Sequence, residues 1–286
     1  MNTTTEANRL PSVQGRVTSN LAELPWWLLI IMLIGIILAY SFYYDETYAD
    51  IFNFIKRGIF TTIQVTLIAY VIAITIGLIT GLGRVSKNPI IYNIATLYVQ
   101  IMRGVPILVT ILYVSFVIAP WAIDRINDLG AWLVGLNLLP AENALVALNT
   151  RNVDFLVRGI AALAISYGAF SAEIFRAGIE SIGRGQMEAA RSLGMNYFQA
   201  MRYIVLPQAI RRVLPPLGND FIAMLKESSL VSVLGVRDIT QLGKLYAASS
   251  FQFFGTYNAV AFIYLTMTIL LSLGVKALER RLKTDG

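Results

Sequence analysis

EAARSLGMNYFQAMRYIVLP, residues 188–207, is the stretch of this sequence that says most about its fold. Residues 187–193 are good helix formers, and Gly194 permits the left-handed turn that ends a helix. Residues 197–205 predict a second helix, after which Pro207 fixes the chain before the next segment. We therefore predict a compact helix–turn–helix knob, whose charged residues suit docking into a polar groove on another protein.

The rest of the chain is strongly apolar. Of its 286 residues, 56% are hydrophobic and 14% are charged, and the mean hydropathy is +0.64. A soluble domain is typically about half apolar and a quarter charged. This composition excludes a disordered chain, disfavours a soluble enzyme and predicts an all-α, polytopic membrane helix bundle.

Six apolar segments have about the length that a bilayer core requires. They are residues 25–44, 58–82, 90–119, 155–174, 208–233 and 257–278, and the third is broken near its start by Arg103-Gly104-Val105-Pro106. We expect residues 1–24 to be flexible, residues 120–153 to form a loop with short surface helices or a re-entrant segment, and residues 236–255 to form another loop. The segments placed inside, 176–207 among them, carry about twice as many Lys and Arg residues as those outside, so both termini are expected in the cytoplasm.

Several chemistries are absent from the sequence. The chain has no Cys and no His, which excludes disulfides, thiolate nucleophiles and imidazole metal sites, and we predict no catalytic and no metal site. It also lacks a phosphate-binding loop, because its one Gly-Lys pair, Gly243-Lys244, is followed by Leu245. The net charge of +6 is typical of basic cytoplasmic loops in a membrane protein and does not call for nucleic acid as a partner.

The motif E-A-A-x3-G-x9-I-x-L-P resembles the signature of the permease subunits of bacterial ABC importers, in the branch that carries polar amino acids. Three further stretches fit that branch: residues 103–106 (RGVP), 166–182 (SYGAFSAEIFRAGIESI) and 226–236 (KESSLVSVLGV). The resemblance covers about residues 57 to 283. Val105 stands where these permeases usually have Thr, and Lys226-Glu227-Ser228-Ser229 stands where they have KDTS.

The resemblance implies a type I ABC importer permease fold with five core transmembrane helices, to which residues 25–44 add one N-terminal helix. It implies a subunit of the bacterial inner membrane that is not itself an enzyme and that couples to ATPase subunits through residues 176–207. The residues implied in coupling are Arg184, Glu188, Ala189, Ala190, Arg191, Gly194, Ile204, Leu206 and Pro207. The implied partners are two copies of an ATPase that uses ATP and Mg, a second permease that is the same chain or a homologue, an extracytoplasmic amino-acid-binding protein, and membrane lipid.

Ionisable groups inside an apolar segment are costly and are therefore candidates for function. The candidate substrate-binding residues are Arg103, Lys226, Glu227, Ser228 and Ser229. Glu227 would accept a hydrogen bond from the substrate ammonium group, and Lys226 or Arg103 would donate to its carboxylate. The alternative is that these groups brace the packing of the helices. The three charges sum to +1, which tilts the expected substrate slightly toward acidic or neutral amino acids.

Two other classes of protein compete with an ATP-driven importer. A self-contained secondary transporter or channel would need no knob and often has internal symmetry, whereas this chain has the knob and shows no internal repeat. A membrane-embedded enzyme would need a paired catalytic constellation, and the sequence offers none. A neighbouring protein that carries a phosphate-binding loop would favour the importer.

Overall fold

The computed structural model describes residues 26–282, and the regular elements in that range are helices. The α-helices are α1 (Trp26–Tyr44), α2 (Glu46–Ile55), α3 (Arg57–Arg84), α4 (Pro89–Gly104), α5 (Ile107–Tyr113), α6 (Ala119–Gly135), α7 (Phe155–Glu180), α8 (Arg184–Ser192), α9 (Tyr197–Ala200), α10 (Leu206–Glu227), α11 (Ile239–Ser250) and α12 (Phe253–Leu282). π-Helical turns at Val114–Ile118 and Met201–Val205 and 3-10 turns at Thr150–Asn152 and Ser228–Leu234 complete the set. The predicted flexible segment 1–24 lies outside the described residues.

The chain divides into two compact units, residues 1–50 and residues 51–286. In the first unit, helix α1 confirms the helix predicted at residues 25–44 over its described part, Trp26–Tyr44. Its sequence is apolar on every side, and side chains such as Ile36 and Tyr43 are exposed. An apolar helix of this kind suits a lipid environment.

Four described stretches are long and apolar enough to cross a membrane: Glu46–Arg84, Ile107–Gly135, Phe155–Glu180 and Phe253–Leu282. Leu29–Tyr44 is a shorter apolar helix. The described chain is thus a membrane helix bundle with four to five apolar spans, where the sequence predicted six. The segment predicted at 208–233 is helical, but α10 carries five charged residues, Arg211, Arg212, Asp220, Lys226 and Glu227.

Helices α3 and α7 make the most extensive contact within the second unit. Glycines on α3 allow the two backbones to approach closely: a Cβ on Gly77 would lie 2.6 Å from the Cβ of Ser171, and one on Gly81 would lie 2.8 Å from the Cβ of Phe175. Small residues at such spacing are typical of helix pairs inside membranes. The core around this pair also takes in residues of α5, α10 and the turn that follows α10.

The predicted third span is wrong in its position along the chain. The RGVP break separates two helices, because α4 ends at Gly104 and Pro106, which has no backbone N–H, precedes the first residue of α5. The apolar span then runs from Ile107 to Gly135 and includes residues 120–135, which were predicted to lie in a loop. This helix contains polar residues such as Asp124 and Asp128. They are exposed, whereas Ile123 and Gly130 of the same helix are buried.

The predicted loop at 236–255 is also wrong in part, because it contains helix α11. Asp238 caps this helix by accepting a hydrogen bond from the backbone N–H of Gln241 at 2.8 Å, and it also accepts one from the hydroxyl of Tyr264 at 3.2 Å. Burial raises the pKa of the Asp238 carboxyl above its usual value, although these hydrogen bonds oppose the shift. Asp238 therefore connects the start of α11 to α12 through its hydrogen bond with Tyr264.

Candidate functional site

The knob, residues 184–207, begins with helix α8 and the turn at Gly194. Gly194 has φ +83°, the left-handed conformation that the sequence predicted. The backbone N–H of Met195 donates to the carbonyl of Ala190 at 3.2 Å, and that of Gly194 donates to Arg191 at 3.0 Å. This pair of bonds is the Schellman motif, which ends a helix at a left-handed glycine.

The second half of the knob differs from the prediction of one helix over 197–205. Asn196 and Gln199 start it with a reciprocal pair of hydrogen bonds, each 2.9 Å, from backbone N–H to side-chain oxygen. Helix α9 then passes into the π-helical turn Met201–Val205 and on into α10 without a break. Pro207 does not separate the knob from α10, because it is the second residue of α10 and the helix continues through it.

The knob has an inner and an outer face. On the inner face Ile182, Val205 and Ala209 form a small apolar cluster with Met187 and Met201. Ala190 and Ala200 are buried as well. These buried contacts pack the inner face of the knob against the residues that precede and follow it.

The outer face combines charged and apolar side chains. Glu188, Ala189 and Arg191 are exposed, and Leu193 and Phe198 are each 81% exposed. Of the other predicted coupling residues, Arg184 begins α8, Ile204 is half-buried in the π-helical turn, and Leu206 and Pro207 are exposed at the start of α10. Large exposed apolar side chains beside charges are typical of a protein-binding surface.

A charge cluster lies between the C-terminal ends of α3 and α7. Glu173 pairs with Arg84 of α3 and with Arg176, and Arg176 also pairs with Glu180. Arg103 of α4 adds its guanidinium 3.8 Å from the Glu173 carboxylate and 5.7 Å from the centre of the Phe170 ring. The described contacts of Arg103 are thus with α7.

A second polar group lies deeper in the bundle, between α7 and α10. Ser171 donates a hydrogen bond of 3.0 Å to the carboxylate of Asp220. Glu227 follows Asp220 by seven residues, so both carboxylates lie on one face of α10, about 10 Å apart along its axis. Oε2 of Glu227 is buried and has no hydrogen-bond partner among the described residues. We call Asp220 and Glu227 the acid pair.

The other predicted substrate residues divide between outward and structural positions. Lys226 is exposed, while Ser228 is buried and donates to the carbonyl of Leu225 at 2.7 Å. Ser229 is half-buried in the 3-10 turn. Sequence reasoning missed Asp220, although its seven-residue spacing from Glu227 was a signal that could have found it.

A membrane helix bundle with an exposed knob and an internal acid pair is typical of a subunit of a membrane transporter. The family described as "Binding-protein-dependent transport system inner membrane component" matches residues 73–284, and the chain belongs to it. It is the multi-pass inner-membrane permease subunit of an ABC amino acid transporter and is not itself an ATPase. Membership implies an ATPase and a solute-binding protein as partners.

Named relatives agree with this assignment. The chain is 37% identical over 220 residues to the "Probable amino-acid permease protein YxeN" of Bacillus subtilis, covering 77% of this chain and 87% of that protein. It is 31% identical over 227 residues to the "Glutamine transport system permease protein GlnP" of Escherichia coli K12, covering 79% and 92%.

Solved structures support the same fold. A crystal structure of an amino acid ABC transporter with histidines matches with a TM-score of 0.65 and 35% identity, covering 82% of this chain and 95% of that one. An inward-facing MetNI methionine ABC transporter matches with a TM-score of 0.59 at 18% identity, covering 80% and 95%, and this second likeness shows the fold alone.

Proposed function

We propose that this permease imports a polar amino acid along a path beside the acid pair, and that the knob couples this path to a separate ATPase. The permease domain is residues 57–283, with 25–44 as an added transmembrane helix and 176–207 as the coupling loop. The working transporter contains two ATPase subunits that use ATP and Mg, two permeases and an extracytoplasmic amino-acid-binding protein. Both termini and the knob face the cytoplasm, in keeping with the distribution of Lys and Arg.

The coupling role rests on the two faces of the knob. The inner cluster of Ile182, Val205 and Ala209 joins the knob to the end of α7 and to α10. A push on the exposed residues Leu193 and Phe198 is therefore transmitted to two helices of the bundle. ATPase subunits that close on each other would move these helices and open the path alternately to the two sides.

The substrate role rests on the acid pair, and it is the single observation that carries the proposal. Carboxylates inside a membrane bundle mark a site for a cation or a cationic group. Lys226 is exposed and Arg103 lies 3.8 Å from Glu173, whereas Asp220 and Glu227 are half-buried on one face of the second half of α10. We infer that Asp220 of the acid pair holds the ammonium group of the substrate, and that amino acids with a neutral or basic side chain are carried in preference to acidic ones. This reverses the tilt expected from the sequence.

The experiment is uptake of labelled histidine, glutamine and glutamate into proteoliposomes that contain the permease, its ATPase and its binding protein. Asp220→Asn should reduce uptake by about 10-fold or more, because a hydrogen bond to a charged group contributes about 1.5–3 kcal/mol. The matched control is Asp128→Asn, since Asp128 is exposed and pairs with Arg125. Equal uptake by the two variants, or a preference of the native protein for glutamate, would overturn the substrate proposal.

A further inference from the structure

Helix α10 consists of two halves that are anchored to different parts of the protein. In the first half the Arg212 guanidinium donates to the carbonyl of Ser181, and Val213 packs so closely on Gly178 that a Cβ there would lie 2.1 Å from its Cγ2. These contacts tie residues 206–214 to the end of α7 and to the base of the knob. The first half of α10 therefore moves with the knob.

The second half of α10 is anchored in the bundle core. Met224 is fully buried, and Phe221 packs against the same cluster. This half carries the acid pair, and Ser171 of α7 holds the carboxylate of Asp220. A displacement of this half would move both carboxylates relative to α7.

A weak joint separates the two halves. Pro215 and Pro216 lie inside α10 and remove two consecutive backbone donors from its hydrogen-bond ladder. A helix bends most readily at such a place. The position of the acid pair is therefore not fixed by the first half of α10 and needs an anchor on the far side of the prolines.

Tyr70 of α3 supplies a contact at that point. Its hydroxyl donates a hydrogen bond to the carbonyl of Leu217, the first residue after the proline pair. Its ring lies 5.0 Å from the ring of Phe221, centre to centre, and only 9% of the residue is exposed.

We propose that Tyr70 is a positioning residue for substrate binding: it fixes the second half of α10 on α3 just beyond the proline joint and so sets the place of the Asp220 carboxylate. The inference rests on the proposed role of the acid pair. Tyr70 acts through Leu217 and Asp220 and does not itself touch the substrate.

Tyr70→Phe tests this proposal, because it removes the hydroxyl and keeps the ring contact with Phe221. The chain offers a matched control in Tyr98→Phe, since the Tyr98 hydroxyl likewise donates to a helix carbonyl, that of Ile165 in α7, away from α10. The readout is the dissociation constant of labelled histidine and of labelled glutamine for the purified permease–ATPase complex in lipid nanodiscs, without binding protein. Tyr70→Phe should raise the dissociation constant about 3- to 10-fold, and Tyr98→Phe should leave it unchanged.

A double-mutant cycle separates positioning from general stability. If Tyr70 acts through Asp220, then Tyr70→Phe in the Asp220→Asn background should weaken binding little further, whereas Tyr98→Phe should be additive with Asp220→Asn. Equal effects of the two Tyr variants, or additive effects of Tyr70→Phe and Asp220→Asn, would overturn the positioning role. If Asp220→Asn alone binds like the native complex, the acid pair is not the substrate site, and both proposals fall together.

Discussion

Replacing Gly194 tests the knob with almost no steric complication. Gly194 has φ +83°, and a Cβ built there would meet nothing within 4 Å. An alanine at this position is therefore penalised only for the left-handed backbone, by about 1–2 kcal/mol. Asparagine adopts this conformation more readily than alanine and should cost less.

This strain appears as weaker docking. A free knob with the Gly194→Ala substitution can relax its turn, whereas a docked knob must readopt the native one. The strain is therefore subtracted from the binding free energy, and about 1–2 kcal/mol corresponds to a 5- to 30-fold loss of affinity. The assay is the dissociation constant of the purified ATPase subunit for the permease in nanodiscs.

Gly185→Ala is the control for this series, because Gly185 lies inside α8 with open space around it and a Cβ there favours the helix. We expect its affinity to equal that of the native chain or to exceed it slightly. We expect the affinity of Gly194→Asn for the ATPase subunit to fall between that of the native chain and that of Gly194→Ala. Gly194→Asp adds a charge, and we expect it to abolish uptake while the chain still inserts into the membrane. Native affinity in Gly194→Ala, or an equal loss in the Ala and Asn variants, would refute the argument from backbone strain.

Two further substitutions test the bundle that carries the site. Gly77→Ala should destabilise the protein by about 1–3 kcal/mol, because its Cβ would lie 2.6 Å from the Cβ of Ser171. Its control, Gly274→Ala, should be neutral or stabilising, because a Cβ there meets nothing within 4 Å. The two variants are compared by thermal unfolding in detergent. Arg158→Met should cost about 2–4 kcal/mol in the same assay, because the buried guanidinium donates to the carbonyls of Ser115, Thr150 and Val153, while Arg151→Met, at an exposed position, should cost little. Unfolding temperatures that do not separate each variant from its control would contradict these assignments.

The knob was predictable because its decisive feature is local. A left-handed turn after a run of helix formers favours glycine, and the sequence shows both at Gly194. The join to α10 was less predictable, since Pro207 indicates either a break or the first turn of a helix, and only the packing of Val205 and Ala209 on Ile182 decides between them.

The candidate site was predicted in part. Glu227 was found because an ionisable residue in an apolar run is conspicuous. Arg103 was found for the same reason, but its partner Glu173 lies on another helix, and no pattern within either helix predicts that pair. The hydrogen bond from Tyr70 to Leu217 joins residues 147 positions apart, so it follows from the fold alone.

The most direct test of the central claim, that the knob docks on a separate ATPase, uses the absence of cysteine from the chain. A single cysteine is introduced by Leu193→Cys on the outer face of the knob, and in a second variant by Phe254→Cys, at a residue that is 80% exposed in α12. Each variant is treated in native membranes with a short thiol-to-amine cross-linker, and the products are identified by mass. The account predicts a product that joins the permease to a subunit with a phosphate-binding loop for Leu193→Cys and none for Phe254→Cys. The same product from both positions, or none from Leu193→Cys in a protein that still takes up its substrate, would contradict it.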